Sequence, residues 1–180
     1  MILDGYWKIE LLANSFRLKF WSFFLRSSEG FAAHQINKNV LHSAVIARKI
    51  YEDDIHYKKE ADRYNKQRVE DQLPGIHLPE MPLLTYKIDV TEFPFVRDKD
   101  FIIERIIPDN YISGLNNCYL AKDICNYVIH AFVWCVTKYA NTREVVFCVA
   151  SDKNKEEKLI AVKISEWIKY IKACVECSTI

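Results

Sequence analysis

Tyr119, Asp123, Asn126 and His130 follow one another at offsets of four, three and four residues within YLAKDICNYVIHAF (119–132). On a helix these offsets stack the side chains along one line. An acid, an amide and an imidazole so aligned can hold a phosphate or move a proton, because histidine titrates near neutral pH and a carboxylate can orient its ring. The same pattern also suits a plain solvated helix face. The helix itself is predicted from Leu120, Ile124, Tyr127, Val128 and Ala131, which share its other side, with Asn117 as the N-cap.

The run ICNYVIHAFVW, followed by REVVFCVASD and KLIAVKI, resembles a pattern in small uncharacterised bacterial proteins in which a helix ending in an Ile-Ile-His-like triplet feeds a sheet. The similarity spans about residues 119–170, and LHSAVIARKIYE adds a looser one. The helix also resembles the HEPN superfamily of helical ribonucleases and RNA-binding proteins found in toxin–antitoxin and phage-defence loci. The signature of that superfamily is an Arg, a polar residue such as Asn, and a His about four to six residues beyond the Arg. Asn126 and His130 match the last two positions, and Cys125 stands where the Arg would be. A thiol cannot make the charge-assisted bidentate bonds with which a guanidinium holds phosphate.

The resemblance therefore implies a HEPN-like accessory protein of a bacterial defence or toxin–antitoxin locus, acting by protein or RNA binding. The alternative it implies is metal-independent RNA cleavage by attack of the 2′-hydroxyl, with His130 moving the proton and another Arg supplying the charge. A structural homo-oligomer is a third reading. Arg48 is the candidate Arg, because Leu41, Ala44, Val45, Arg48, Tyr51 and Ile55 share one helical stripe and an Arg among apolar residues is costly without a partner. In an enzyme Arg48 is expected across a cleft from His130 and Asn126. In a binder it is expected to be remote, to snorkel to water, or to pair with a structural carboxylate such as Asp123.

Cys174-Val-Glu-Cys177 has zinc-knuckle spacing, but no second pair accompanies it and it closes a helix rather than opening one. His34, His42, His56 and His77 show no ligand spacing, and there is no glycine-rich phosphate loop or nucleophile elbow. No metal and no cofactor are expected. Arg17, Lys19 and Arg26 near Trp21, together with Tyr119, are candidates for stacking on and holding RNA.

The elements that must position these groups follow from periodicity. Residues from Ile2 to about Arg26 are so rich in apolar types that the helix they predict would be buried on most sides, at the centre of the core; any exposed part would serve as a subunit interface. A second helix starts near Ala32, and the charged run 52–72 continues it as a solvated helix or gives way to a loop. LPGIHLPEMP (73–82) stops any helix. Beyond it, LLTYKIDV reads as a strand, FIIERII as a strand or helical turn, PDNYISG as a turn and VWCVTKYA as a strand. Residues 144–164 read as a hairpin turning within Ser151–Glu157, and Ser165 as the cap of a last helix that lays Trp167, Ile168, Ile171, Cys174 and Val175 on the sheet.

The expected fold is α+β in a single domain, 1–180: a helical half (1–72), a proline-rich connection (73–82), then a helix, a small antiparallel sheet and a C-terminal helix (83–180). Half of the 180 residues are hydrophobic and only nine are Gly or Pro, which excludes a disordered or low-complexity chain. Lys plus Arg (25) nearly balance Asp plus Glu (24), so a histone-like binder is excluded, although residues 1–50 hold seven basic against three acidic residues. Asp4, Lys8 and Glu10 interrupt any signal peptide, and the six cysteines read as mostly buried thiols. A cytoplasmic protein is expected, with a protein partner or homodimer, RNA as a second partner, and no membrane.

Overall fold

The computed structural model describes residues 6–25, 29–63, 81–89, 112–138, 144–151 and 158–176. In chain order the elements are α1 (Tyr6–Phe24), α2 (Glu29–Arg63), β1 (Pro82–Asp89), β2 (Ile112–Leu120), α3 (Ala121–Ile129), β3 (Ala131–Lys138), β4 (Val145–Ser151), β5 (Lys158–Lys163) and α4 (Ile164–Glu176). The fold is α+β, as the patterning indicates. Arg26, Cys177, FIIERII, most of the proline-rich stretch and the hairpin turn at 152–157 lie outside the described residues.

Helices α1 and α2 pack side by side. In α1 the covered positions Trp7, Leu11, Asn14, Leu18 and Leu25, with half-buried Trp21, recur at alternating four- and three-residue steps. Ile36, Val40, Ser43, Ala47 and Ile50 recur at the same steps on the covered side of α2, and the seam between the two helices is crossed by Asn14 and His42 at 3.2 Å. Two sequence expectations fail here. Helix α1 is not enclosed: only that seam and its flank toward α4 are covered, while Ile9, Phe16, Phe20 and Phe23 face outward. In α2, Leu41 and Val45 are exposed, and the covered side is formed by Ile36, Val40 and Ile50 with the small residues Ala32, Ala33, Ser43, Ala44 and Ala47 between them. The helix continues through the charged run as far as Arg63.

The sheet has five strands in the order β2-β1-β5-β4-β3, and every neighbouring pair is antiparallel. The expected hairpin is present as β4–β5, with Phe147 opposite Val162 and Val149 opposite Ile160. Four antiparallel steps separate the edge strands β2 and β3, which therefore run parallel, and α3 is the crossover between them. That placement shortens α3 at both ends. Asn117 and Tyr119 belong to β2, so Asn117 is no cap; Leu120 holds the cap position without a side-chain bond, and the Ala121 N–H donates to the Met81 carbonyl at 2.9 Å. Ile112, Ser113 and Gly114, expected in a turn, are strand residues paired with β1 or in line with it. Helix α4 begins at Ile164 directly on leaving β5, so Ser165 sits inside the helix rather than capping it.

Trp167 of α4 joins the layers. Fully buried, it meets Phe147 edge to face at 5.4 Å, and its indole N–H donates to the Ser43 hydroxyl of α2 at 2.9 Å. The indole N–H, which burial of so large an aromatic would otherwise leave unsatisfied, is thus paired.

Candidate functional site

Arg48 lies in the middle of α2, on the flank that meets α3, and His130 occupies the C-cap of α3. Although 82 positions apart, they touch: Arg48 Nη1 is 3.0 Å from His130 Nε2. A guanidinium has no acceptor, so in this contact Arg48 is the donor and the ring nitrogen the acceptor. Arg48 Nε also donates to Glu52 Oε1 at 2.8 Å. Two of the five guanidinium N–H groups are used in these bonds, and the pair stands open to water, with the Arg48 side chain 32% exposed.

Local electrostatics explain why an Arg is stable there. Helix α3 has no basic residue in its last turn, so its terminal carbonyls present the negative end of the helix dipole without a cation of their own. The Arg48 guanidinium, in contact with the ring of the C-cap residue His130, is a cation at that end of the helix.

The expected four-residue line on α3 reduces to two members. Asn126 is exposed one turn before His130, and its carbonyl accepts the His130 backbone N–H at 3.0 Å. Asp123 sits half-buried in the first turn, seven residues from His130 or about 10 Å along the axis, too far to orient the ring. Glu52, not Asp123, is the carboxylate on Arg48. Tyr119 leaves the line altogether, since it belongs to β2 and packs edge-on against Tyr127 at 5.9 Å.

Cys125 is an interior residue of α3. Its side chain is buried with Sγ 4.0 Å from the Tyr170 hydroxyl, on the side of α3 that faces α4. Burial pushes the thiol up to about 12, against the opposing pull of the Tyr170 hydrogen bond and the Arg48 charge. An Arg at 125 would point into this interior, whereas Arg48 reaches the same histidine from the neighbouring helix.

Beside the pair, Lys122 Nζ of α3 lies 5.8 Å from the ring centroid of Tyr51, three residues after Arg48. Further along the same flank, the Trp134 indole N–H donates to Asn37 Oδ1. Glu52 and Lys122 were not among the candidates, and Tyr51 entered only as a member of the Arg48 stripe. The i, i+4 spacing of Arg48 and Glu52 was a usable signal; the meeting of Tyr51 with Lys122 had none. Arg17 and Lys19 are exposed on α1, which packs on a different flank of α2, and Arg17 lies 3.7 Å from Glu10.

No family model, curated protein or solved structure matches this chain. The geometry alone carries the chemistry of the site. Among the described residues no group of three His, Cys, Asp or Glu is placed to hold a metal ion, and no helix is long and apolar enough to cross a membrane. What the arrangement can do is receive an anion. An arriving phosphate oxygen takes the Nη1 hydrogen from His130, which frees the Nε2 lone pair beside the bound anion, with the Asn126 amide exposed one turn away.

Proposed function

We propose that this protein binds RNA and takes a backbone phosphate on Arg48 beside His130. The setting is the one the HEPN resemblance implies, an accessory protein of a bacterial defence or toxin–antitoxin locus. The observation that carries the reading is the 3.0 Å approach of an accessible guanidinium to an accessible imidazole from separate helices. Tyr51 and Lys122 nearby add an aromatic ring and a second cation, the combination that holds single-stranded nucleic acid. Fluorescence anisotropy with a labelled single-stranded RNA tests it. Arg48→Ala is expected to weaken binding about tenfold, the worth of one charged hydrogen bond, and to lower the salt slope by about 0.7, the share of one neutralised phosphate. Unchanged affinity and slope in that variant would sink the reading.

A second reading, metal-independent RNA cleavage, is favoured by one feature: Nε2 of His130 faces a cation that can only donate to it. The nitrogen would take the 2′-hydroxyl proton as the 2′-oxygen attacks phosphorus and the P–O5′ bond breaks; the 5′-oxygen would leave as a hydroxyl with a proton from water, a 2′,3′-cyclic phosphate would remain, and the imidazolium would return its proton to solvent. Arg48 would offset the charge that develops on the phosphoryl oxygens. Cleavage by the wild-type protein in EDTA that disappears in His130→Ala establishes this activity, because loss of a general base costs about 10²–10⁴ in rate. Cleavage that persists in the variant does not belong to this site.

A further inference from the structure

The side of α1 opposite its seam carries Ile9, Leu12, Phe16, Phe20 and Phe23, which at 100° per residue fall within an arc of about 80°. Phe16 is 69% exposed, Phe23 79% and Ile9 64%. Charged groups lie only on the borders of this stripe: Lys8 and Lys19 on one side, Glu10 and Arg17 on the other. Monomeric proteins seldom leave so continuous an apolar surface in water.

We propose that this stripe is the two-fold interface of a homodimer in which α1 packs antiparallel on α1 of a second copy, with Phe16 on the axis. The sequence of the stripe is self-complementary in that arrangement. Placing Phe16 against its own counterpart sets Ile9 against Phe23 and Leu12 against Phe20, so a large aromatic meets a smaller aliphatic at each level. The same register sets Lys19 against Ala13, Lys8 against Phe24 and Arg17 against Ser15, so no charged residue stands directly opposite a like charge. At roughly 200 Å² for each large side chain, the stripe leaves about 600 Å² uncovered per copy. That approaches the roughly 800 Å² per partner of a standard interface, and the aliphatic stems of the bordering Lys8 and Lys19 extend it. The interface lies away from Arg48 and His130, so it stands whether or not the chain binds RNA.

The test is the oligomeric state of the full chain by light scattering at micromolar concentration, with Phe16→Glu and Phe16→Cys alongside. Wild type is expected at twice the 21.2 kDa monomer mass. Phe16→Glu, which sets two carboxylates on the axis, is expected to be monomeric with an unchanged helical circular-dichroism spectrum, since the position is exposed. Phe16→Cys is expected to form a disulfide-linked dimer on mild oxidation with diamide. A monomeric wild type, or a dimer that survives Phe16→Glu, would overturn the proposal. A monomer that co-sediments with phosphatidylglycerol vesicles would also overturn it, and would assign the stripe to a lipid surface.

Discussion

Helix α2 meets α1 along one flank and α3 with β3 along another, and the two flanks differ in kind. Toward α1 the seam is largely apolar: Leu11 and Leu18 of α1 are wholly buried, and His42 of α2, beside Asn14 and Glu10, makes the polar contacts described across it. Toward α3 and β3 the interactions are polar and open: Arg48 on His130, Lys122 over Tyr51, Trp134 on Asn37. Burial of apolar surface is strong and indifferent to ligands, whereas an exposed hydrogen bond is nearly isoenergetic with one to water. The first flank therefore holds the fold. The second can exchange its partners for those of an anion at little cost.

The difference is broken most directly by Leu11→Ala. Removing a wholly buried leucine from the closed seam is expected to cost about 2–5 kcal/mol, read as a shift of the urea midpoint at constant m-value. A loss below about 1 kcal/mol would show that the seam is not what holds the helices together.

The interior behind α3 gives the next effect, in alkali. The Cys125 thiol is raised from its ordinary 9.0 to about 12 by burial, Tyr170 is raised chiefly by burial, and Cys148 is raised by its hydrogen bond with Cys135 and by burial. Each group keeps its proton in the folded state over a pH range where the unfolded chain releases it. Stability is thus intact below about pH 9 and is lost as pH rises toward 12, with a slope on the order of 1 kcal/mol per pH unit for each group. Denaturant titrations at several alkaline pH values should show Cys125→Ala flattening that slope; an unaltered slope would mean the thiol titrates normally.

On the open flank the effects on folding are small and those on binding larger. His130→Ala is expected to change stability by less than about 1 kcal/mol, because the group is exposed, in contrast to Leu11→Ala. Glu52→Gln sharpens the contrast from the other side. It removes the carboxylate that competes with phosphate for Arg48 and is expected to tighten RNA binding about threefold, within the range of exposed ion pairs. Weaker binding in this variant would mean that Glu52 positions the guanidinium instead of competing for it.

The sequence carried the hairpin of β4 and β5, strand β1 and the two long helices, because each is marked by a sustained period. It misassigned the faces of α1 and α2. Large apolar side chains dominate a periodicity count, yet Leu41 and Val45 face outward while Ala33, Ala44 and Ala47 are covered. It also misplaced the start of α3. The change from period two in β2 to helical period occurs between Leu120 and Ala121 without a glycine, a proline or a capping side chain. At the site, Arg48 and His130 were legible as a polar group on an apolar stripe and an imidazole at a helix end. Their meeting depends on how α2 crosses α3, which no local pattern encodes.

The order of the strands bears on how the chain is made. β5 occupies the middle of the sheet, between β1 and β4, yet it is the last described strand to be synthesised. Until it emerges from the ribosome, the pair β1–β2 and the pair β3–β4 each present an open edge with nothing to join them. Partners as distant as Thr85 and Val162 must find each other before the sheet closes, and such non-local pairing is slow. A nascent chain of this kind spends its synthesis with two exposed strand edges and is expected to occupy chaperones until β5 has been added.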